Sequence, residues 1–556
     1  MGYSLFFYTA RALFALLAFG SIIAGFPCML SNYLESGGSL HDKPSNWSSE
    51  SSVQKGKNPV WQGVLMFIYS LFIVAGILYY RKFILEKIAK IDEHNITPSD
   101  FTVVIKGVTK KIDLNEFTES FKQLALGDSY IIETVAVSPS YNILEYVKLE
   151  KEIKKINAML NSIEKMENKS GMVHKRNKWC RKIPTKQELN SRLQEIKDLQ
   201  QKFEDPNYLK EIRGDWVFIT LKKQSDCKKV IKKWYVSEIE AMIRIFTNCF
   251  QKYHWGDGTF NGHQIKIEHA PEPSDIIWEN LTVSAWTKFK KRTKTFFTTS
   301  ALLAMSFYIL LSIKIYQYNT YEDSGKITNK DNLKIKAISL LLSVTIILLN
   351  VVITKSIRYF SKYEKPSTWT QYNVSVFHKL VTATTLNSVA MLLLVNSYNV
   401  QQGFSGKKGI DLHWFTKSYG LTSDLCNLLL VDAFFTPVLQ IFDPSFFWLL
   451  FKRHLVSIGK IKVNQAQANK IWTNPEMDLA QRSARYVTVF LVSLIFAPLF
   501  PMGLFLGAIS IFIKYFIDKK LLLRRCSRSK DYGSGITFAV LIWLPICLVG
   551  FSVIYI

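Results

Sequence analysis

The stretch IKAISLLLSVTIILLNVVITKSI, residues 335–357, decides what kind of protein this is. Its central part, residues 337–354, carries no charged side chain. A mainly apolar run of about 18 or more residues is long enough for a helix to cross the ~30 Å of hydrocarbon in a bilayer. Because lipid offers the backbone no hydrogen-bond partner, such a segment is expected to be helical. The stretch therefore predicts a membrane protein.

Eight further segments resemble this one. The predicted spans are roughly 5–30, 61–80, 296–316, 335–357, 374–398, 424–451, 479–498, 500–518 and 534–555. The seventh and eighth meet at two prolines, Pro498 and Pro501, which predict a tight turn between short helices. The first span lacks a preceding basic region and a clear A-x-A cleavage site, so we interpret it as a retained helix and not as a secretory signal.

The charge of the chain alternates with the spans. Lys and Arg number 70 against 44 Asp and Glu, a formal net charge of +26. Basic clusters follow the second, fourth, sixth and eighth spans and precede the third. By the positive-inside rule these segments are cytosolic, with the N-terminus inside and the C-terminus outside. The sequon at Asn46 then falls in an outer loop, where glycosylation can occur. Attraction of cytosolic loops to anionic headgroups accounts for the charge, so we expect no nucleic-acid binding.

The chain divides into three predicted regions. Residues 1–80 hold two N-terminal transmembrane helices with an outer loop, residues 81–295 form a cytosolic domain, and residues 296–556 hold seven helices. In the cytosolic domain, strands are predicted over 101–106, 130–137, 216–221 and 264–268, and helices over 114–124 and 237–253. This is a β-α-β-β-α-β order, a ferredoxin-like α+β fold. Charged helical stretches near 142–168 and 187–203 predict a helical hairpin that projects from the sheet.

The predicted fold class is thus a polytopic α-helical membrane protein of about nine spans with a cytosolic ferredoxin-like domain. RNA-recognition (RRM-like) domains share this strand order, but their aromatic motif is absent, so we interpret the domain as a scaffold. The seven cysteines are scattered, without zinc-ligand spacing. No nucleotide-binding glycine motif and no His with a Ser or Asp partner at useful spacing occurs. We expect no enzymatic activity, no cofactor and no metal site.

A specific motif precedes the third span: HAPEPSDIIWENL, residues 269–281. It resembles the A-P-x-P-x-D-[IV]-x-W-x-N-L motif of OSCA-type stress-gated cation channels, relatives of the anoctamin and TMC proteins. The matching residues are Ala270, Pro271, Pro273, Asp275, Trp278, Asn280 and Leu281. Further similar segments at 137–149, 430–442, 485–501 and 515–519 extend the resemblance over nearly the whole chain. Two departures stand out: relatives usually have eleven helices, and residues 433–437 replace the glycine-rich hinge of their sixth span.

Polar residues inside spans are candidates for function because burying them in lipid is costly. Asp432, Thr436 and Gln440 recur every four residues and share one helix face, with Asn427 near its edge. A carboxylate, a hydroxyl and an amide on one stripe suit a cation path, or hydrogen bonds to a neighbouring helix. The resemblance implies a pore between span six and spans three, four, five and seven.

Other polar residues of the spans extend this set. Asn387 and Asn396 in span five either line the same path or bond across helices. Pro437 predicts a bend in span six, either a gating hinge or a static kink. Lys314, near the end of span three, is expected to extend its ammonium group to the interface.

The resemblance implies a mechanically or osmotically gated, calcium-permeable, non-selective cation channel. The first alternative is a phospholipid scramblase of the anoctamin type, and the second is a non-conducting structural subunit of a membrane complex. The expected partners are membrane lipids, permeating cations and a second copy bound through the cytosolic domain. The outer sequon favours the plasma membrane, and an endosomal or vacuolar membrane fits as well.

Overall fold

The computed structural model describes most of the chain. The described residues are 2–35, 60–108, 110, 112–124, 132–167, 185–234, 259–260, 263–322, 329–390, 393, 421–461, 463, 465–527 and 533–555. Within these ranges the molecule consists of a helical bundle, a four-stranded sheet with its covering helices, and a short two-stranded hairpin.

Helices make up most of the described chain. In order they are α1 (Gly2–Gly20), α2 (Phe26–Glu35), α3 (Val60–Glu93), α4 (Leu114–Leu124), α5 (Leu144–Glu167), α6 (Lys186–Gln201), α7 (Pro206–Ile212), α8 (Gln224–Lys233), α9 (Ala285–Glu322), α10 (Asn329–Tyr363), α11 (Trp369–Thr385), α12 (Leu421–Ile441), α13 (Pro444–Ser457), α14 (Gln465–Trp472), α15 (Leu479–Ile495), α16 (Met502–Arg524) and α17 (Gly535–Tyr555). A π-helical turn, Ser21–Gly25, joins α1 to α2, and another, Leu386–Ala390, continues α11.

Six segments of the described chain are long and apolar enough to cross a membrane. They are Gly2–Ser31, Gln62–Glu93, Ala285–Gln317, Ala337–Tyr363, Leu421–Ser457 and Gly535–Ser552. They coincide with six of the nine predicted spans. The predicted fifth, seventh and eighth spans also contain helices. Helix α15 has 17 residues, α16 carries three charged residues between 514 and 519, and α11 continues through the π-helical turn to Ala390. Over its described residues, none of the three combines the length and apolarity of the six segments above.

The segment Leu421–Ser457, which coincides with the predicted sixth span, consists of two helices. Helix α12 ends at Ile441, because Asp443 has an extended backbone and caps α13 by accepting a hydrogen bond from the Ser445 amide. Pro444 at the first position of α13 is pre-set for a helix start. Residues 444–451, predicted as the inner part of span six, thus belong to a separate helix.

The cytosolic sheet has four antiparallel strands. They are β1 (Thr102–Lys106), β2 (Thr134–Tyr141), β3 (Arg213–Leu221) and β6 (Lys266–His269). Between β3 and β6, two strands of two residues each, β4 (Thr259–Phe260) and β5 (His263–Gln264), pair with each other as a separate hairpin. The strand order is β2-β3-β1-β6, all antiparallel, which is the ferredoxin-like arrangement. Strand β2 lies four residues later than predicted. It contains Pro139, which an edge strand tolerates because one side of it needs no ladder hydrogen bond.

The helices of the cytosolic domain confirm part of the prediction. Helix α4 spans the predicted residues 114–124, and α5 and α6 form the predicted hairpin, held by Ile156, Leu189 and Ile196. After β3 the chain forms α8, which the sequence analysis missed although Cys227, Val230 and Ile231 have helical spacing. The predicted helix 237–253 lies outside the described residues.

The predicted region boundaries at 80/81 and 295/296 both fall inside single helices. Helix α3 runs without a break through residues 80 and 81, and α9 runs through 295 and 296. The membrane and cytosolic regions are therefore joined by continuous helices and not by loops.

Apolar side chains form separate cores. The largest lies in the helical bundle and includes Leu17, Phe377 and Phe490. One face of the sheet packs on α4 and α8 through Phe117 and Val230. The opposite face packs on the segment that follows β6.

Candidate functional site

Polar side chains meet in the interior of the bundle between α9, α10, α11 and α12. One end of this contact faces the outer side of the membrane in the orientation predicted from the charge pattern. There the Lys314 ammonium lies 2.7 Å from a carboxylate oxygen of Asp424. Ser339 donates to the other Asp424 oxygen at 2.7 Å and accepts from Asn427 at 2.9 Å. Asp424 is 0% exposed and Lys314 1%. Lys314 is thus buried in an ion pair, and the prediction that it reaches the interface is wrong.

A second polar group lies midway along the same helices. Asn387 sits in the π-helical turn after α11 and is 0% exposed. Its side-chain oxygen accepts from the Ser306 hydroxyl at 2.5 Å, and its nitrogen donates to Asn350 at 2.8 Å. Asn350 in turn donates to Ser388 at 3.3 Å. π-helical turns occur frequently at functional sites because they re-aim side chains.

A third polar group lies at the predicted cytosolic end. Glu364, just after α10, accepts two hydrogen bonds of 2.6 Å from the Lys379 ammonium of α11 and one from the Thr295 hydroxyl of α9. Lys379 is one-third exposed, whereas Glu364 is buried. We call these three groups together the polar seam: Lys314, Ser339, Asp424 and Asn427; Ser306, Asn350, Asn387 and Ser388; Thr295, Glu364 and Lys379. The seam runs along the bundle between helices that correspond to spans three to six.

The predicted stripe on span six faces a different set of helices. Asp432 contacts α16, where the Lys514 ammonium lies 2.5 Å away and the Ser510 hydroxyl donates at 2.8 Å. Thr436 donates to Asp432 on the same helix at 3.3 Å. Lys514 is 2% exposed. Asp432 is therefore neutralised by a buried lysine of span eight, an arrangement that the sequence analysis did not include.

Gln440 continues this charged contact towards the cytosolic end. With its amide oriented to satisfy both neighbours, Gln440 accepts from Arg485 at 2.7 Å and donates to Asp518 at 3.3 Å. Asp518 also pairs with Arg482 and accepts from the Tyr486 hydroxyl at 3.0 Å. We call Asp432, Arg482, Arg485, Lys514 and Asp518 the charged cluster. It joins α12 to α15 and α16.

The predicted site residues are thus divided between two places. Asn387 and Asn427 belong to the polar seam, and Asp432, Thr436 and Gln440 face the charged cluster. Pro437 is buried inside α12, which remains one helix to Ile441. Asn396 and Asn46 lie outside the described residues.

The motif segment 269–281 connects the sheet to the start of α11. Ala270, Ile276 and Leu281 pack on the sheet face. On the other side, an Asp275 carboxylate oxygen accepts from the Thr370 amide at 2.8 Å. The Asn280 amide donates to the carbonyl of Pro366 at 2.8 Å. The segment therefore fastens the cytosolic domain to the helix that carries Asn387.

Pro271, Pro273 and Trp278 complete the motif. Residues 271–273 lead from β6 to a turn, and Trp278 opens a short 3₁₀ turn over 278–280. The Trp278 ring lies 5.8 Å from that of Phe218 in β3, so it also contacts the sheet.

Comparisons with known families agree with these features. A family model described as the cytosolic domain of a 10TM putative phosphate transporter matches residues 100–280. The anoctamin model, described as calcium-activated chloride channel, matches residues 232–536, more than half of the chain. The chain belongs to the anoctamin family. The two matches together identify an OSCA-type member, which confirms the resemblance seen in the sequence. No curated protein matches the chain.

In this OSCA-type member of the anoctamin family, the membrane region is that of a transporter or channel. Sequence reasoning missed several partners in these groups. They are Asp424 beside Lys314, the Glu364–Lys379 pair, Lys514 beside Asp432, and Asn350 beside Asn387. One signal was present: Lys314 ends span three and Asp424 begins span six, which places both near the same predicted surface. In the part of the chain that the structure describes, no group of three His, Cys, Asp or Glu side chains lies close enough to hold a metal ion.

Proposed function

We propose that the protein is a mechanically or osmotically gated, non-selective cation channel, permeable to calcium among other ions. We propose further that the polar seam is its conduction pathway in a closed state. The observation that supports this most directly is the seam itself, three groups of mostly buried polar side chains along the contact between four helices. Buried polar and ionisable groups in a membrane bundle commonly mark ion pathways.

The hydrogen bonds of the seam would keep the proposed pathway closed. Ser339 bonds to Asp424 across α10 and α12, and Ser306 and Asn350 bond to Asn387 across α9, α10 and α11. These groups bind one another in place of water or ions. Separation of the helices would expose them to water, and the same groups would then line an aqueous path. A stimulus shifts an equilibrium only if it acts differently on the two states. Membrane tension therefore favours the open state if the open state occupies a larger area in the bilayer than the closed one.

The charges of the seam support weak selectivity for cations. Each end carries one buried carboxylate paired with one lysine, so the described seam is nearly neutral. Lys379 is one-third exposed, and in an open state it can turn towards the aqueous side, whereas Glu364 is buried in the wall. An open seam would then present a carboxylate at its cytosolic end.

The test is patch recording of the purified protein in liposomes under stepped suction, for the wild type and Asn387→Leu. We expect tension-dependent openings in the wild type, and a higher threshold or a lower conductance in Asn387→Leu. Ser510→Ala, which removes a hydrogen bond to Asp432 outside the polar seam, is the matched control and should conduct as the wild type does. Reversal potentials under a KCl gradient that follow chloride would contradict the cation assignment.

Absence of current at lytic tension would contradict the channel proposal. Flipping of fluorescent lipids in the same liposomes would then favour the scramblase. Absence of both activities from folded protein would favour a structural subunit.

A further inference from the structure

Helix α13, Pro444–Ser457, follows span six but has no buried residue. Its exposed side chains include Phe447, Trp448 and Phe451, which are 45%, 58% and 49% exposed. With 100° per residue, these three and Ile458 lie on one face, and the half-buried Phe446, Leu449, Arg453 and Val456 lie on the opposite face. The helix therefore turns its aromatic residues away from the protein.

The depth of this helix follows from the length of the preceding one. Helix α12 has 21 residues and a length of about 32 Å, which already covers the hydrocarbon of a bilayer. The chain then changes direction at Asp443, where the backbone is extended. Helix α13 thus begins where span six reaches the cytosolic surface in the predicted orientation.

The inner face of α13 is fixed to the bundle. Arg525, after α16, donates to the Ile441 carbonyl at 2.5 Å, and its guanidinium lies 4.8 Å from the Phe446 ring centre. Arg453 donates to the carbonyls of Ile471 and Trp472 at the end of α14. These contacts hold the helix in one orientation, so its exposed aromatic face is a defined surface.

The margin of the aromatic face is basic. The Lys452 ammonium lies 5.6 Å from the Trp448 ring centre, and Lys460 is exposed beyond the helix end. Aromatic side chains on one face and cations at its edge are typical of a helix that lies in the membrane interface. Cations near a cytosolic leaflet attract anionic headgroups.

We propose that α13 is an interfacial helix whose aromatic face inserts into the cytosolic leaflet and whose lysines bind anionic headgroups. Phe447, Trp448 and Phe451 lie among the acyl chains near the headgroups, and Lys452 and Lys460 contact lipid phosphates. The lipid contact of α13 does not depend on ion conduction. The segment that forms this lipid-binding surface was predicted as part of span six.

The experiment places a nitroxide spin label on the full-length protein in liposomes and measures the depth of the label in the bilayer. Depth is read from the collision rates of the nitroxide with oxygen, which partitions into lipid, and with a water-soluble nickel complex. The probe is attached at Phe451→Cys. Phe434→Cys on the exposed side of span six is the lipid reference, and Lys197→Cys on the exposed side of α6 in the cytosolic hairpin is the aqueous reference. We expect the ratio of oxygen to nickel accessibility at 451 to lie between the two references and well above that at 197. A ratio equal to that at 197 would place the face in water and overturn the proposal. Low accessibility to both reagents would mean that protein covers the face, and it would overturn the proposal as well.

A second measurement uses the unaltered chain, so that it does not depend on folding of the cysteine variants. A lipid-soluble carbene reagent should label the aromatic residues of α13, and hydroxyl radicals generated in water should not. The reverse pattern would overturn the insertion.

The headgroup contact has its own comparison. The nitroxide at 451 should lie deeper in phosphatidylcholine vesicles that contain phosphatidylserine than in phosphatidylcholine alone, and Lys452→Gln/Lys460→Gln should remove this difference. Equal depth in both vesicles for the unaltered lysines would contradict binding of anionic lipid.

Discussion

Replacing Asp432 by Asn tests whether the ion pair with Lys514 holds spans six and eight together. The two charges lie 2.5 Å apart. At an ordinary ion-pair distance of about 3 Å and an effective dielectric constant of about 20, the Coulomb attraction is roughly 5–6 kcal/mol. Desolvation of both ions offsets a large part of it, and removal of one partner from a buried pair costs about 3–5 kcal/mol. The Asp432 side chain is 21% exposed, so we expect a loss near the lower end, about 3 kcal/mol.

The free energy of unfolding is measured in mixed detergent micelles by titration with a denaturing detergent, followed by far-ultraviolet circular dichroism. Lys514→Met added to Asp432→Asn should return the value to within about 1 kcal/mol of the wild type, because a neutral pair leaves no buried unpaired charge. Thr436→Val, which removes only the 3.3 Å bond, is the control and should cost less than about 1 kcal/mol. A loss below about 1 kcal/mol for Asp432→Asn, or a double variant weaker than either single one, would refute the reasoning.

Three further predictions concern other parts of the molecule. Gly507→Ala should destabilise the bundle by about 1–3 kcal/mol, since its Cβ would overlap the Ser493 hydroxyl. Ser493→Gly should restore most of the loss, and an unchanged unfolding curve for Gly507→Ala would contradict this packing. Asp275→Ala should speed hydrogen exchange of the amides of residues 369–372 by up to about tenfold, because the Thr370 amide loses its acceptor. Equal exchange rates in the variant and the wild type would show that the motif does not stabilise the start of α11. Burial, aided by the negative charge of Asp100, raises the pKa of Cys227 to about 11, so its reactive thiolate is present only as pH rises towards 11. Alkylation of Cys227 at pH 8 should therefore be slow in folded protein and fast after unfolding. Equally fast labelling of folded and unfolded protein would contradict the burial.

The parts of the fold that the sequence predicted are those set by local patterns. Apolar length identified the spans, and heptad spacing identified the hairpin of α5 and α6. Pairings between distant residues were not predictable in this way, because helical spacing shows which face Asp432 occupies but not which helix packs on that face. The same limit applies to Asn387, whose direction depends on a π-helical turn within an otherwise ordinary helical segment.

The absence of a break between the membrane and cytosolic regions has a mechanical consequence. Helix α9 has 38 residues and is about 57 Å long, so a part of it extends beyond a ~30 Å hydrocarbon layer. A helix longer than the local bilayer responds to thinning by tilting. A tilt of about 5° around the bilayer centre displaces a point roughly 30 Å away by about 2.6 Å. Under the proposed gating by tension, stretching of the bilayer would be converted into a sideways displacement at the end of α9 next to the sheet, and the helix would act as a lever whose short arm lies in lipid.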